Sequence, residues 1–339
     1  MLEHARLALV GGLGCDVDGA RAAIALAERL NGAFDHMHSD AMFNTLDVLR
    51  ETGMMLTTPG EVRVRADRIL LAGPGIEAAW PEIWQRLALH QPPALGTGNR
   101  RVIWLGGEAS VPGIETVLVP VPPGKMPAAL AALRARLAGR PIGPAPLALA
   151  VLDPLAEALK TAQIGTVIWA QGELDALSTE MLCGLVFDLN KTTRFSGLPL
   201  APGGNAAGVT LAAGWMTGFP PRTGFGRGYP EHDPWRFGSR RLAESGEADA
   251  ALWINVMDDF PPAWDLPLVA ITGAATRLAT PPAVHIIAGT PGIDHAGVLH
   301  DCATGMLLNN AATVPIGAPS VAAILRQIAA HTSGGPLPC

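Results

Sequence analysis

A chain of 339 residues is long enough to bury a large core, as one big α/β unit or as two lobes, without disulfide or metal staples. Charged residues make up only 16% of it against 49% hydrophobic, well below the roughly 25% charge of an ordinary soluble domain. A net charge of −6, with lysine confined to Lys125, Lys160 and Lys191, leaves no basic stripe to track a phosphate backbone, so nucleic acid is not an expected partner.

The apolar excess, a mean hydropathy of +0.27, needs somewhere to go. No uninterrupted apolar run approaches the ~18–20 residues that span a bilayer. The opening MLEHARLALVGG lacks a signal-peptide pattern, because its apolar run is short and no Ala-x-Ala follows. The expectation is a cytoplasmic protein whose apolar surface is covered by other subunits, since obligate interfaces resemble a domain core cut in half. Cys15, Cys183, Cys302 and Cys339 are far apart and form no C-x-x-C pair, which argues against a disulfide framework and a cysteine-ligated iron–sulfur or zinc site.

In chain order, four segments repeat one pattern: a short apolar run, a glycine-rich turn, then helical periodicity. The first is RLALVGGLGCDVDGARAAIALAERL, where Asp16 or Asp18 is placed to cap a helix whose apolar side includes Val17, Ala20, Ile24 and Leu30. RILLAGPGIEAAWPEIWQRL is the second, RVIWLGG opens a less regular third, and GTVIWAQGELDALSTEMLCGLVFDL is the fourth. Strands alternating with helices predict parallel α/β sheets. The proline-rich ARLAGRPIGPAPLA reads as a hinge between two α/β units. Beyond residue 195 the Gly/Pro-rich LAPGGNAAGVTLAAGWMTGFPPRTGFGRGYPEHDP shows no sustained period and predicts a long irregular stretch lining a site or an interface. AALWINVM, LPLVAIT and AVHIIAG then read as three buried strands, VAAILRQIAAH as a final helix, and TSGGPLPC as a frayed tail.

Several clusters could carry chemistry. The turns GGLG and AGPG could offer N–H groups to an anion at a helix N-terminus, but neither completes G-x-G-x-x-G, and ordinary strand-to-helix turns explain them as well. His36-x-His38, followed by Asp40, would point two imidazoles to one side of an extended segment. Two such histidines open the amidohydrolase metal centre, whose remaining ligands and (β/α)8 repeat are not evident. GIDHAGVLHDC gathers Asp294, His295, His300, Asp301 and Cys302 in no standard zinc spacing, and its histidines read as hydrogen-bonded loop groups. No G-x-S-x-G elbow marks a serine nucleophile. In TGFPPRTGFGRGYPEHDPWRFGSRR, Arg222 and Arg227, with Tyr229, His232 and Asp233, could clamp an anion or brace a loop through its carbonyls.

Four stretches, GLGCDVDGARAAIALAERLNGAFDH, ETGMMLTTPGEVRVRADRILLAGPG, TGFGRGYPEHDPWRF and EADAALWINVMDDFPP, resemble the B-type subunit of formylmethanofuran dehydrogenase, above all in the bacterial form belonging to formyltransferase/hydrolase complexes of methylotrophs. The resemblance runs from about residue 6 to residue 310. It implies two Rossmann-like doubly wound lobes derived from the molybdopterin oxidoreductase fold, without the iron–sulfur domain and the C-terminal pterin-binding barrel. The lobe boundaries expected are 1–38 with 220–339 for a discontinuous lobe and 39–219 for an inserted one, the hinge lying near 138–147.

Where the archaeal relatives place a metal-binding Cys-His, this chain reads Asp40-Ala41-Met42. The resemblance therefore implies a cofactor-free structural subunit in one-carbon metabolism. Its partners would be an amidohydrolase-like subunit, a formyltransferase subunit and one further subunit, together converting formyl-tetrahydromethanopterin to formate through a methanofuran-type carrier. His36, His38, Asp40, Ala41, Met42, Arg227 and His232 would line a retired pocket. Two other readings stand beside it: an active molybdopterin or tungstopterin enzyme using Asp40 and Arg227, and a metallohydrolase built on His36 and His38.

Overall fold

The computed structural model describes residues 1–332 apart from 96–98, 108 and 263, and the strands and helices named below are those of the described residues. The tail after Thr332, expected to be frayed, and Cys339 within it lie outside the described residues. The strands are β1 (Ala8–Gly14), β2 (Ala33–Phe34), β3 (Arg68–Ala72), β4 (Arg101–Leu105), β5 (Thr116–Val119), β6 (Gly165–Ala170) and β7 (Phe195–Leu200). They continue with β8 (Thr223–Gly224), β9 (Glu231–His232), β10 (Ala250–Asn255), β11 (Leu268–Thr272), β12 (Val284–Ile287), β13 (Gly297–Asp301) and β14 (Met306–Asn310). Helices of the first half are α1 (Val17–Arg29), α2 (Ser39–Thr52), α3 (Pro59–Arg65), α4 (Ile76–Ala79), α5 (Ile83–Leu87) and α6 (Met126–Leu137). The rest are α7 (Leu149–Lys160), α8 (Ala176–Leu189), α9 (Ala206–Thr217), α10 (Ser239–Glu244) and α11 (Val321–Ala330).

The chain divides into two units. The first comprises Met1–Asp40, Gly203–Asp301 and Met306–Cys339, and the second Ala41–Pro202 with Cys302–Gly305. The return to the first unit thus falls at Pro202/Gly203, earlier than the expected 219/220, because α9 packs on α1 and β1. The proline-rich stretch near 138–147 is not a hinge between units: it joins α6 to α7, both inside the second.

In the first unit the strand order is β12-β11-β10-β1-β2-β8-β9, parallel from β12 to β2 and antiparallel at β8 and β9. Every residue of β1 and β10 is buried, which is why both read as continuous apolar runs: a strand covered by helices on both faces has no polar side. One face packs Val10, Leu252 and Ile254 against Ala20 and Ile24 of α1, Val209 of α9 and Leu325 of α11. The other packs Leu9, Ala251 and Trp253 against Phe237 and Leu242. Asp16, not Asp18, caps α1, accepting from the Gly19 N–H at 2.9 Å.

Three expectations change here. β12 is an exposed edge strand rather than a buried one. The stretch after residue 195 holds β7 and the twelve-residue α9. GVLHD is strand β13, paired antiparallel with β14, so His300 sits in a hairpin rather than a loop. In the second unit the order is β5-β4-β3-β6-β7, all parallel, with one apolar core on each face. RILLAGPGIEAAWPEIWQRL makes β3 and two short helices, α4 and α5, with Pro81 between them.

Candidate functional site

In the first unit, three parallel strands, β1, β2 and β10, end side by side, and the polar residues follow their C-terminal ends. β1 is irregular there: its register with β10 shifts between Gly11 and Gly14, and Leu13 is left-handed at φ 59°. Such bulges re-aim a strand end. Asn205 (φ 56°) and Arg222 (φ 62°) share that sterically costly conformation. Asn205 ties two segments together, donating to the Cys15 carbonyl at 2.9 Å and accepting from the His300 N–H at 2.9 Å.

The segment after β2 does not remain extended. It turns at Met37 and His38 into α2, so the two imidazoles do not stand on one side of a strand: their centroids are 5.6 Å apart and tilted by 43°. His36 is 1% exposed. Its Nδ1 accepts the His38 N–H at 3.0 Å, which leaves Nε2 to donate to the Gly204 carbonyl at 3.1 Å. Both ring nitrogens are used, and no lone pair is left for a metal. Burial pushes the ring's pKa down to about 4, helped by the neighbouring His38 and opposed by the Gly204 bond and Asp258. Gly204 lies at φ +63°, where a side chain would be strained, and a Cβ there would lie 3.4 Å from the His36 ring.

Asp35 is 1% exposed and accepts from the Ser39 hydroxyl at 2.5 Å and the Ser239 N–H at 2.9 Å, with the Arg222 Nε 3.6 Å away. Burial raises its pKa in spite of these partners. Arg222 also donates to the Pro234 carbonyl at 3.0 Å and to the carboxylate of Asp40. It is therefore a loop brace joined to two acids. His38 faces Asp258, Nε2 to Oδ2 3.8 Å, and its ring lies 4.9 Å from that of Phe260. Asp258 is fixed by the fully buried Asn255, whose amide donates at 2.7 Å. Burial would raise the Asp258 pKa, but His38, Asn255 and the Phe260 N–H hold it below the usual carboxylate value.

The other predicted residues are dispersed. Arg227 is not part of this cluster: its side chain is 63% exposed and pairs with Glu231 at 3.2 Å. His232 meets the Arg222 carbonyl through Nδ1 at 3.0 Å and stacks on Phe219. Ala41 and Met42 belong to the second unit, where the Ala41 Cβ faces Gly172 so closely that a Cβ on that glycine (φ +91°) would come within 2.7 Å. His295 contacts the Ala296 and Gly289 carbonyls, and Asp294 accepts from the Thr290 N–H. Among the described residues no three His, Cys, Asp or Glu side chains converge as a metal site. Sequence reasoning missed Asp35, Asn255 and Asp258, for which the signal was a polar residue at the C-terminal end of an apolar run.

Parallel doubly wound sheets with a polar cluster beyond their strand ends define the class of open α/β proteins that place functional groups at a topological switch point. No family model matches the chain. It is 35% identical over 327 residues to the B-type subunit of the formyltransferase/hydrolase complex of Methylorubrum extorquens, covering 94% of this chain and 88% of that one. The crystal structure of that organism's formyltransferase/hydrolase complex, in complex with methylofuran, contains a chain that superposes with a TM-score of 0.87 at 34% identity, covering 96% of this chain and 91% of the other. The B-type subunit of the tungsten-containing formylmethanofuran dehydrogenase 2 of Methanococcus maripaludis is 26% identical over 76% of this chain and 62% of its own length. That of Methanocaldococcus jannaschii is 27% identical over 70% and 56%. The chain belongs to the family of the B-type subunit of the formyltransferase/hydrolase complex.

Proposed function

We propose that this chain is a cofactor-free structural subunit of a formyltransferase/hydrolase complex in one-carbon metabolism, acting in the cytoplasm. Its amidohydrolase-like, formyltransferase and further partner subunits would carry the formyl group of formyl-tetrahydromethanopterin to formate by way of a methanofuran-type carrier. The family membership supports the assembly, and the observation that carries the structural role is the state of the strand-end residues. A molybdenum or tungsten pterin does not fit them: Ala41 has no donor atom and lies against Gly172, both nitrogens of His36 are hydrogen-bonded, and Asp40 is paired with Arg222. Under this reading the two units are lobes of a molybdopterin-oxidoreductase-type core whose metal-binding residues have been replaced by a self-satisfied polar framework. The similarity to two tungsten-containing relatives supports that descent.

The test is metal analysis of the affinity-purified native complex. Molybdenum and tungsten should be absent from a preparation that contains all partner subunits and hydrolyses the formyl carrier. About one equivalent of either metal per copy of this chain would overturn the structural reading.

A further inference from the structure

On one face of the first unit's sheet, α1 packs between α9 and α11. The outward side of α1 is recessed, and with Met216 of α9 and Leu325 of α11 it forms a groove of about 280 Å³. Its floor is small, Ala22 and Ala25, so another helix could approach closely without displacing side chains. Three arginines ring it, Arg21, Arg29 and Arg326, against the single acid Asp18. That local excess of positive charge occurs in a chain of net charge −6, so it is not the background of the surface.

α9, which contributes Met216 to the groove, also exposes apolar side chains. No charged residue occurs from 195 to 221, and Leu211, Trp215, Met216 and Phe219 are 42%, 62%, 40% and 38% exposed. A tryptophan held in water on an uncharged helix is the kind of side chain that anchors protein interfaces. The ring of arginines specifies what can lie beside it. A second copy of this chain would bring arginine against arginine in a two-fold contact, so self-pairing is disfavoured.

We propose that the groove over α1, between α9 and α11, docks an α-helix of another subunit of the complex. That helix carries apolar anchors against Ala22, Ala25 and Met216 and acidic side chains towards Arg21 and Arg326. This is helix-in-groove recognition with an electrostatic rim, and it rests on the subunit reading given above.

The experiment places the photo-crosslinking residue p-benzoylphenylalanine at position 22 and, separately, combines Arg21→Glu with Arg326→Glu, both in the complete complex. Arg29 is left intact because it also donates to the Thr332 carbonyl. The expected results are a cross-link to an acidic helical peptide of a different subunit, and association of that subunit at least about tenfold weaker for the double reversal, restored by lysine substitutions in the cross-linked peptide. A cross-link to a second copy of this chain, undiminished association of the double variant, or no cross-link from a complex that still holds its other subunits would overturn the groove assignment alone. Purification of the chain free of every other subunit would overturn the subunit reading, and the docking helix with it.

Discussion

The two units place their buried acid–base and hydrogen-bonding framework at opposite ends of their strands. In the first, Asp35 and His36 follow β2, Asn255 ends β10 and Asp258 follows it. In the second, the buried ion network precedes the strands. Asp67, just before β3, accepts from the Gln163 and Ile164 N–H groups ahead of β6 at 3.1 and 2.9 Å, and Arg100, ahead of β4, donates to the Val62 and Ala66 carbonyls at the end of α3 at 2.9 and 2.7 Å. The C-terminal ends of the second unit's β3 and β4 run instead into Gly73 and Gly106, both at positive φ. Open α/β sheets bind ligands at the carboxyl ends of their strands, which is where the first unit's buried ionisable groups lie. Each is engaged by a neighbour: Asp35 by Ser39 and Ser239, His36 by His38 and Gly204, and Asp258 by Asn255. The Asp67 and Arg100 network does a different job, satisfying the backbone where helices hand over to strands.

Truncating one buried side chain in each unit sets the scale of the difference. Trp169→Ala, in the fully buried β6 of the second unit, should cost about 3–5 kcal/mol because a buried indole leaves a cavity. Asp35→Ala should destabilise by about 1–3 kcal/mol, because it leaves the Ser39 hydroxyl and the Ser239 N–H without their acceptor while Arg222 keeps Asp40. Urea unfolding of both variants reads this, and near-neutral behaviour of Asp35→Ala would mean that the polar framework is dispensable.

The two buried groups beside β2 also respond to pH in opposite directions. His36 is neutral when folded, with its pKa pushed down to about 4, while the unfolded chain protonates it near its ordinary value, about 6.5. Stability from this residue is therefore complete above about pH 6.5 and is lost as pH falls towards 4, to a total of about 3 kcal/mol. The buried Asp35, whose pKa is raised, acts in the opposite sense: its ionisation lowers stability as pH rises through the carboxylate range. His36→Gln should remove the loss between pH 6.5 and 4 while keeping a donor for Gly204; an unchanged profile would assign the acid response elsewhere. Asn255→Ala comes next, at about 1–3 kcal/mol, since its amide serves Asp258 and the Phe260 carbonyl from a fully buried position. The smallest effect belongs to Arg227→Ala. Its exposed pair with Glu231 predicts no measurable change in Tm and formyl hydrolysis close to that of the unaltered complex.

Strands buried on both faces were legible in the residues themselves. RLALVGG, RILLA, GTVIWA and AALWIN needed only their apolar runs. AVHIIAG has the same texture but forms an edge, because edge position depends on which strand pairs next and not on composition. α9 escaped notice because AAGVTLAAGWMT has no charged face, so no amphipathic period exists to detect. At the strand ends the histidines were visible as residue types, but their engagement was not. The Gly204 carbonyl that binds His36 and the Arg222 that approaches Asp35 come from segments far along the chain, and only their meeting shows that the imidazole and the carboxylate are already spoken for.

The order of the first unit's sheet also sets a timetable. β1 starts at Ala8, and its principal neighbour β10 starts at Ala250. At about 5–20 residues per second, a ribosome takes on the order of ten seconds to a minute to deliver the second strand after the first. Throughout that interval a seven-residue strand destined for complete burial lacks the neighbour that covers its edge. All of the second unit except Cys302–Gly305 is synthesised inside the gap. The nascent chain therefore waits with its central strand half paired, and escape from aggregation in that window depends on what shields β1 before β10 arrives.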